Sequence, residues 1–372
     1  MKFLNRIITY TFFLILGAAT FSCQTKTEKM NYKIIDFNKM PGEKLVDNYF
    51  NALNRYNFNE ILNYNKDVFF LLGDDSEENV DDYNAVIYST KNMGNSWKKN
   101  ILGKGTVKEG ICIGDKTYII VDNDKAPFSK SHNSTLYVSN NFGDTWEQVT
   151  NINEGGISGI NFYSEKIGVA IFSKKTEQEE DFDYEYRYTK DAGKTWTPLD
   201  LDTSTACIMN SENSLLYLEK NSVMEYNFQK KEKKILDKIS VPNKMEIESL
   251  DKDSKTGSIY VTLVGEEYDD KRSALYYIDK KELINLPDNH YVKTYGDFYF
   301  TELHNTPSPY SSYAWSSDRG KTWRTEKFEN FFPDPRPIGY AEDGYVYMLV
   351  AMFKGNEEER GARLVIGHPK SK

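Results

Sequence analysis

Cysteine is nearly missing from this chain of 372 residues: there are three, at positions 23, 112 and 207. So few argue against a disulfide-built scaffold. Histidine is as scarce, and His132, His290, His304 and His368 are too scattered to form a metal-type cluster. Positive charge is also short, with 47 Lys and Arg against 56 Asp and Glu and a net charge of −9. Nucleic acid and anionic membrane surfaces both call for a basic face, so neither is an expected partner. A Gly-x-Ser-x-Gly elbow and a phosphate-cradling glycine loop are missing too, and no cofactor is implied.

What is present begins with an export signal. Lys2 and Arg6 precede an apolar stretch, Ile7 to Ala19, that is too short to span a bilayer comfortably. The phrase Thr20-Phe21-Ser22-Cys23 that follows resembles a bacterial lipoprotein signal. That resemblance implies removal of residues 1–22, lipidation of Cys23, a tether over 23–30, and a place in the cell envelope where only the lipid meets the membrane. An ordinary secretory signal with an incidental cysteine is the alternative. Without residues 1–22 the balance is 45 basic to 56 acidic residues.

The rest of the chain, 31–372, reads as one repeating domain. Similar phrases begin at Thr90 (TKNMGNSW), Ser139 (SNNFGDTW), Thr189 (TKDAGKTW) and Ser316 (SSDRGKTW). The first three are 49 and 50 residues apart, and the last gap, 127, divides into three steps of about 42, a propeller-like period. Around each phrase the order is short apolar strand, tight turn, stronger apolar strand, long loop, third strand, phrase, short fourth strand. The pattern predicts repeats near 58–102, 107–150, 157–199, 204–237, 244–286, 290–327 and 332–370. The expected fold is all-β, a seven-bladed β-propeller, with six blades as the alternative. The seventh repeat lacks a fourth strand, which NYKIIDFN (31–38) would supply to close the ring. Helical spacing in EKLVDNYFNALNRY (43–56) predicts one short N-terminal helix. Cys112 (GICIG) and Cys207 (ACIMN) fall at matching places two repeats apart, too far to bond, and are expected as buried free thiols.

The phrase itself resembles the Asp-box, or BNR repeat, of the sialidase-like propellers. Its residues are Asn92, Gly94 and Trp97; Asn141, Gly143 and Trp146; Asp191, Gly193 and Trp196; and Asp318, Gly320 and Trp323. The Asp or Asn can accept backbone N–H bonds within a tight turn, Gly can take a positive φ there, and Trp supplies buried area. The resemblance implies a structural box that joins third and fourth strands on the face away from the ligand side.

For a sialidase, the resemblance implies three arginines gripping a carboxylate, an Arg-Ile-Pro phrase in the first blade, a Tyr nucleophile with a Glu, and an Asp acid. Beyond residue 22 there are eight arginines, at 55, 187, 272, 319, 324, 336, 360 and 363, and the first blade opens FNEILNYN with none. Only Arg336 stands at the start of an inner strand, and Tyr340 with Glu342 is a weak pair. No catalytic residue is assigned. A divergent glycoside hydrolase stays open as the alternative.

Acid gathers in one class of loop, between second and third strands: Asp74 to Asn84, Thr176 to Tyr186, Gly265 to Lys271 and Asn356 to Gly361 hold nineteen of the 56 acids. With the boxes on one rim, these loops belong to the other. The bland reading is solvated loops that keep the protein soluble. The functional reading is a docking face made by Asp81, Asp82, Tyr83, Glu179, Asp181, Asp183, Tyr184, Glu266, Glu267, Tyr268 and Asp269, with Phe182 and Tyr186 as further aromatic anchors. It would attract a basic protein or peptide, or a divalent cation. His132, His304 and His290 fall near the same rim, where solvated loop residues are a plainer reading than metal ligands. The function expected is a binding or scaffold module, such as an immunity protein, an inhibitor or an assembly factor.

Overall fold

The computed structural model describes residues 30–36, 57–76, 83–123, 133–152, 156–175, 182–201, 207–242, 244–265, 272–287, 292–303, 311–328, 331–333, 339–340, 344–352 and 361–369. Tyr32–His368 form one compact unit; the second unit, Met1–Asn31 with Pro369–Lys372, has only residues 30, 31 and 369 in the described set. Cys23, the signal, and the segment expected as a helix all lie outside the described residues.

All described regular structure is strand, in seven antiparallel sheets. Blade 1 is Asn57–Asn63, Phe69–Ser76, Tyr83–Thr90 and Lys98–Lys104, each strand paired with the next. Blades 2 to 6 repeat that meander over 106–152, 156–198, 207–238, 245–286 and 292–328. First strands of blades 1 to 5 touch in turn, and Gly339–Tyr340 of blade 7 meets both Asn57–Asn63 and Val292–Tyr295, so the first strands gather about a central axis. The architecture is the seven-bladed propeller that the repeat spacing predicts.

Blade 7 is built from both ends of the chain. Its sheet order places Met30–Asp36 outside Gly361–Pro369, followed inward by Val346–Met352. The innermost strand is broken into Phe331–Pro333 and Gly339–Tyr340, rather than the single first strand that the repeat pattern implies. FFPDPRPIGY explains the break, because Pro333, Pro335 and Pro337 have no N–H to give a ladder. The closing strand grips both neighbours. Tyr32 donates to Glu326 Oε2 of blade 6 (2.5 Å), and Lys33 Nζ donates to Met93 O and Asn95 Oδ1 of blade 1 (2.7 Å each).

The second strands, such as KTYIIVD and IYVTLVG, are runs of apolar residues buried on both faces. Fourth strands are polar and largely exposed, as in KKNILGK and EKKILDK. Burial therefore lies between blades. One cluster joins Phe58, Phe69, Val86 and Tyr88 of blade 1 to Tyr347, Leu364 and Ile366 of blade 7. The seams from blades 1–2 to 5–6 each have a cluster of the same kind. Each fully buried Phe or Leu contributes about 1.5–3 kcal/mol, so the ring is held chiefly by its seams.

The four boxes share one geometry. The hydroxyls of Thr90, Ser139, Thr189 and Ser316 accept the N–H of Gly94, Gly143, Gly193 and Gly320 at 2.8–2.9 Å. Oδ1 of Asn92, Asn141, Asp191 and Asp318 accepts the N–H of the residue four places on, at 2.8–2.9 Å. Asn replaces Asp through a reversed hydroxyl bond. Thr195 and Thr322 donate to Asp191 and Asp318 Oδ2 (2.7 and 2.6 Å), whereas Asn92 and Asn141 donate from Nδ2 to Ser96 and Thr145 (2.8 Å each). Burial alone would raise the Asp191 and Asp318 carboxyls, but these hydrogen bonds outweigh it and hold both below the usual range. Their contribution to stability is full above the unfolded pKa and fades as pH falls through the folded one.

The box covers a seam rather than only a blade edge. A Cβ on Gly143 would lie 2.6 Å from Phe70 of blade 1, on Gly193 2.5 Å from Leu136 of blade 2, and on Gly320 2.7 Å from Ile284 of blade 5. On Gly94 it would meet Ile35 of the closing strand at 2.2 Å. Beside each glycine the half-buried Trp97, Trp146, Trp196 or Trp323 packs edgewise or tilted on Phe69, Phe70, Phe172 or Tyr299. Gly193→Ala adds a methyl at this contact and at φ +85°. It is expected to destabilise by more than about 1 kcal/mol in chemical denaturation, whereas Asp191→Asn stays within about 0.5 kcal/mol at neutral pH. Equal midpoints for Gly193→Ala and the parent chain would remove the glycine's role.

Candidate functional site

The two rims can be told apart by hydrogen bonds. Box residues Met93, Ala192 and Arg319 donate backbone N–H to Asp67, Lys166 and Asp297, in the turns between first and second strands of the same blades (2.9–3.0 Å). Boxes and these turns therefore share one rim. The antiparallel pairs Ser76↔Tyr83, Lys175↔Phe182, Val264↔Ser273 and Met352↔Gly361 end the second-to-third hairpins on the other.

At that second rim the bases of the acidic loops are described. Tyr83 is half-buried, while Asp183 and Tyr184 are exposed at the start of the third strand of blade 3. Asp81, Asp82, Glu179, Asp181, Glu266, Glu267, Tyr268 and Asp269 lie outside the described residues, as do His132, His290 and His304. Tyr186, expected as an anchor, is instead fully buried in the seam between blades 3 and 4, two residues inward from Tyr184 along the strand. Asp74 and Asp75 are likewise strand residues and buried, with Asp75 paired to Lys99 Nζ at 2.8 Å. Glu185 is tied to Arg187. Among the described acids of these four segments, Asp183 is exposed and Asp74, Asp75 and Glu185 are not.

The arginines with described side chains sit away from the axis. Arg187 stacks on Phe172 (4.3 Å), Arg319 covers Tyr277 (5.2 Å) and pairs with Glu282 (3.2 Å), Arg324 covers Trp315 (4.7 Å), and Arg272 donates to Lys244 O (3.3 Å). Arg187 stands on a third strand, Arg324 on a fourth strand, Arg319 in a box turn, and Arg272 just before a third strand. Arg55, Arg336, Arg360, Tyr340 and Glu342 have no described side chain.

The first strands carry two carboxylates that the sequence reading passed over. Glu60 Oε2 accepts the N–H of Gly110 in the next blade (2.7 Å), and Glu109 Oε1 accepts that of Ile160 in the blade after (3.4 Å). Asn161 continues the device, accepting from Met209 N (2.9 Å). A register shift precedes each glutamate, at Phe58/Glu60 and at Val107/Glu109, and re-aims both side chains alike. The signal was available: FNEIL and VKEGI set Glu at the same place in adjacent repeats. Loss of solvation, and then the nearby Glu109 charge, push the Glu60 carboxyl up to about 8, and loss of solvation pushes Glu109 up to about 7. A glycosidase pair needs one raised acid beside one ionised carboxylate. Here both are raised and both hold backbone, which suits bolts between blades.

Cys207 is buried and Cys112 half-buried, both free, with burial pushing each thiol up to about 12. Such thiols are poor nucleophiles. Among the described residues no three His, Cys, Asp or Glu side chains converge as metal ligands.

No known family and no curated protein matches this chain. Solved structures do. It is similar to the β-propeller domain of the trilobed protease of Pyrococcus furiosus, described as having an open velcro topology, at 11% identity and TM-score 0.55, over 85% of this chain and 95% of that one. It is also similar to Pyrococcus horikoshii acylaminoacyl peptidase, at 11% identity and TM-score 0.56, over 86% of this chain but only about half (54%) of that one. A third likeness is to an oligogalacturonate lyase in complex with manganese, at 8% identity and TM-score 0.52, over 81% and 86% of the two chains. At such identities the likeness defines the propeller fold.

The raised carboxyls set a pH dependence. Glu60 and Glu109 bind protons more tightly folded than unfolded, so their stabilisation is full below the unfolded pKa, near 4.5, and is lost as pH rises through about 7 and about 8. Glu60→Gln with Glu109→Gln keeps an acceptor oxygen on each side chain and removes the titration. Thermal denaturation between pH 6 and pH 9 (roughly the two sides of that window) should show the parent chain losing stability and the double variant holding it. Parallel curves would mean that neither group titrates differently on folding.

Proposed function

We propose that this protein is an exported propeller, anchored to the bacterial cell envelope by a lipid on Cys23, that works as a protein-binding module through the acidic loop rim. The observation that supports the reading is that the four hairpins whose connecting sequences are richest in Asp and Glu end on the rim opposite the boxes. Acid gathered on one rim steers a basic protein or peptide, or holds a divalent cation, more than an even spread would. Exposed Tyr184 beside Asp183 adds an aromatic contact of the kind that anchors interfaces. An immunity protein or an inhibitor facing a basic toxin fits this chemistry, and so does an assembly factor.

The second reading, a divergent sialidase-like glycoside hydrolase, draws on Glu60 and Glu109 at the first strands. It predicts sugar hydrolysis that Glu60→Gln abolishes; glycoside turnover by the variant would end it.

The binding reading is tested by replacing Asp81, Asp82, Glu179, Asp181 and Asp183 together with their amides. Capture of a basic partner from the native envelope, steep in salt for the parent chain, should be lost in the variant, and unchanged capture would sink the docking face. Cys23→Ser should move the protein out of the membrane fraction; a variant that stays there would refute the lipid anchor.

A further inference from the structure

Blades 4 and 5 join their third and fourth strands without a box and carry a different chemistry in its place. Blade 4 turns through Gln229-Lys230-Lys231-Glu232 and blade 5 through Asp279-Lys280-Lys281-Glu282. Lys231 and Lys281 take the positive φ (55° and 54°). The turn of blade 4 leads into the outermost strand Glu232–Lys238, exposed at every residue but Asp237. Lys230, Lys231, Lys233 and Lys238 are exposed and have no carboxylate within ion-pair distance among the described residues, while Lys234 and Asp237 are satisfied by Glu225 (3.4 Å) and Lys281 (2.5 Å). Between these lysines Ile235 and Leu236 stand 60% and 39% exposed.

Lysine on an edge strand has a plain use, keeping the edge from pairing with another chain. That use does not account for two adjacent aliphatic side chains held in water on the same strand. Backbone pairing is opposed here, because the register shifts at Val223/Met224 and leaves Leu236 unpaired in a bulge. Recognition at this edge therefore runs through side chains. The basic groups follow the turn and the single strand it enters, about 23 Å long for seven residues, which matches an extended chain better than a planar bilayer. They are all lysine, so they offer point charges suited to scattered carboxylates more than forks for phosphate.

We propose that the outer edge of blade 4 is a docking surface for an extended acidic segment of a partner protein, whose carboxylates meet Lys230, Lys231, Lys233 and Lys238 and whose apolar side chains cover Ile235 and Leu236. In a chain of net charge −9 this edge has the opposite sign to the loop rim, so one propeller takes partners of two kinds.

The test uses the full chain and a short labelled peptide alternating glutamate with leucine, with a lysine–leucine peptide as control. The parent protein should bind the acidic peptide at low salt. Lys230→Glu, Lys233→Glu and Lys238→Glu together should weaken binding by about tenfold or more, and Ile235→Ser with Leu236→Ser by about fivefold. All five positions are exposed, and unchanged circular dichroism and melting would show the fold intact. The rim variants should leave this binding alone. Peptide binding that is absent, or indifferent to both variants, would overturn the proposal. So would charge reversal that alters only sedimentation with phosphatidylglycerol vesicles, which would assign the edge to a membrane surface, or only the protein's self-association, which would assign it to a second copy.

Discussion

A blade of this propeller has two apolar faces and nothing of its own to cover them. Phe69, Leu71, Tyr88 and Val86 of blade 1 are dry only because Tyr347, Leu364 and Ile366 of blade 7 lie against them, and each described seam repeats the arrangement. That makes ring closure a condition of stability rather than a finishing detail. The strand Met30–Asp36 meets the condition by adding an outer strand to blade 7, with Tyr32 reaching blade 6 and Lys33 reaching the box of blade 1. Ile35 of that strand presses on Gly94 as Phe70 presses on Gly143. The closing strand thus takes part in the same contact that the boxes make elsewhere around the ring.

The same constraint decides what polar groups near the seams can do. A charge there must be held by backbone or by a partner, and several are used to tie one blade to the next. Asp253, almost fully buried, accepts Gly296 N–H from blade 6 on both oxygens (2.9 and 3.1 Å), besides Thr256 N (2.7 Å) and Oγ1 (2.8 Å) of its own turn. Burial raises its carboxyl, and these hydrogen bonds overcome that and hold it low. Glu60 and Glu109 hold one backbone bond each and stay high. The number of donors around each carboxylate, more than its depth, decides which way it shifts.

Blade count and blade limits were legible in the sequence because the boxes recur at blade spacing and the second strands are unbroken apolar runs. The closing strand was legible because a seventh repeat short of one strand needs an edge covered. The broken inner strand of blade 7 was not legible, since the repeat pattern allots one first strand to each blade and says nothing of Pro333, Pro335 and Pro337 within it. Tyr186 was misread for a related reason: DFDYEY looks like loop from its charge, yet alternation turns every second side chain into the seam. Glu60 and Glu109 were overlooked because one Glu in an apolar strand reads as an interruption. Only its recurrence in the next repeat, together with the bulge, gives it a use.

The fate of the box connects fold to surface. Where it is kept, its glycine and tryptophan close the seam, and the outer end of the blade is occupied by structural contacts. Asn serves as well as Asp there, since the adjoining hydroxyl of Ser96 or Thr145 can turn from donor to acceptor. The position is therefore fixed by geometry, not by charge. Blades 4 and 5 have no box, and their seam is filled instead by Leu216, Val223, Ile239, Leu250 and Val261. With apolar packing sufficient there, the turn is released from the Gly and Trp requirement. Lys231 and Lys281 can take its left-handed residue at the modest strain a non-glycine incurs. A turn no longer needed for closure is free to carry charge, and the outer edge of blade 4 is where the chain places it.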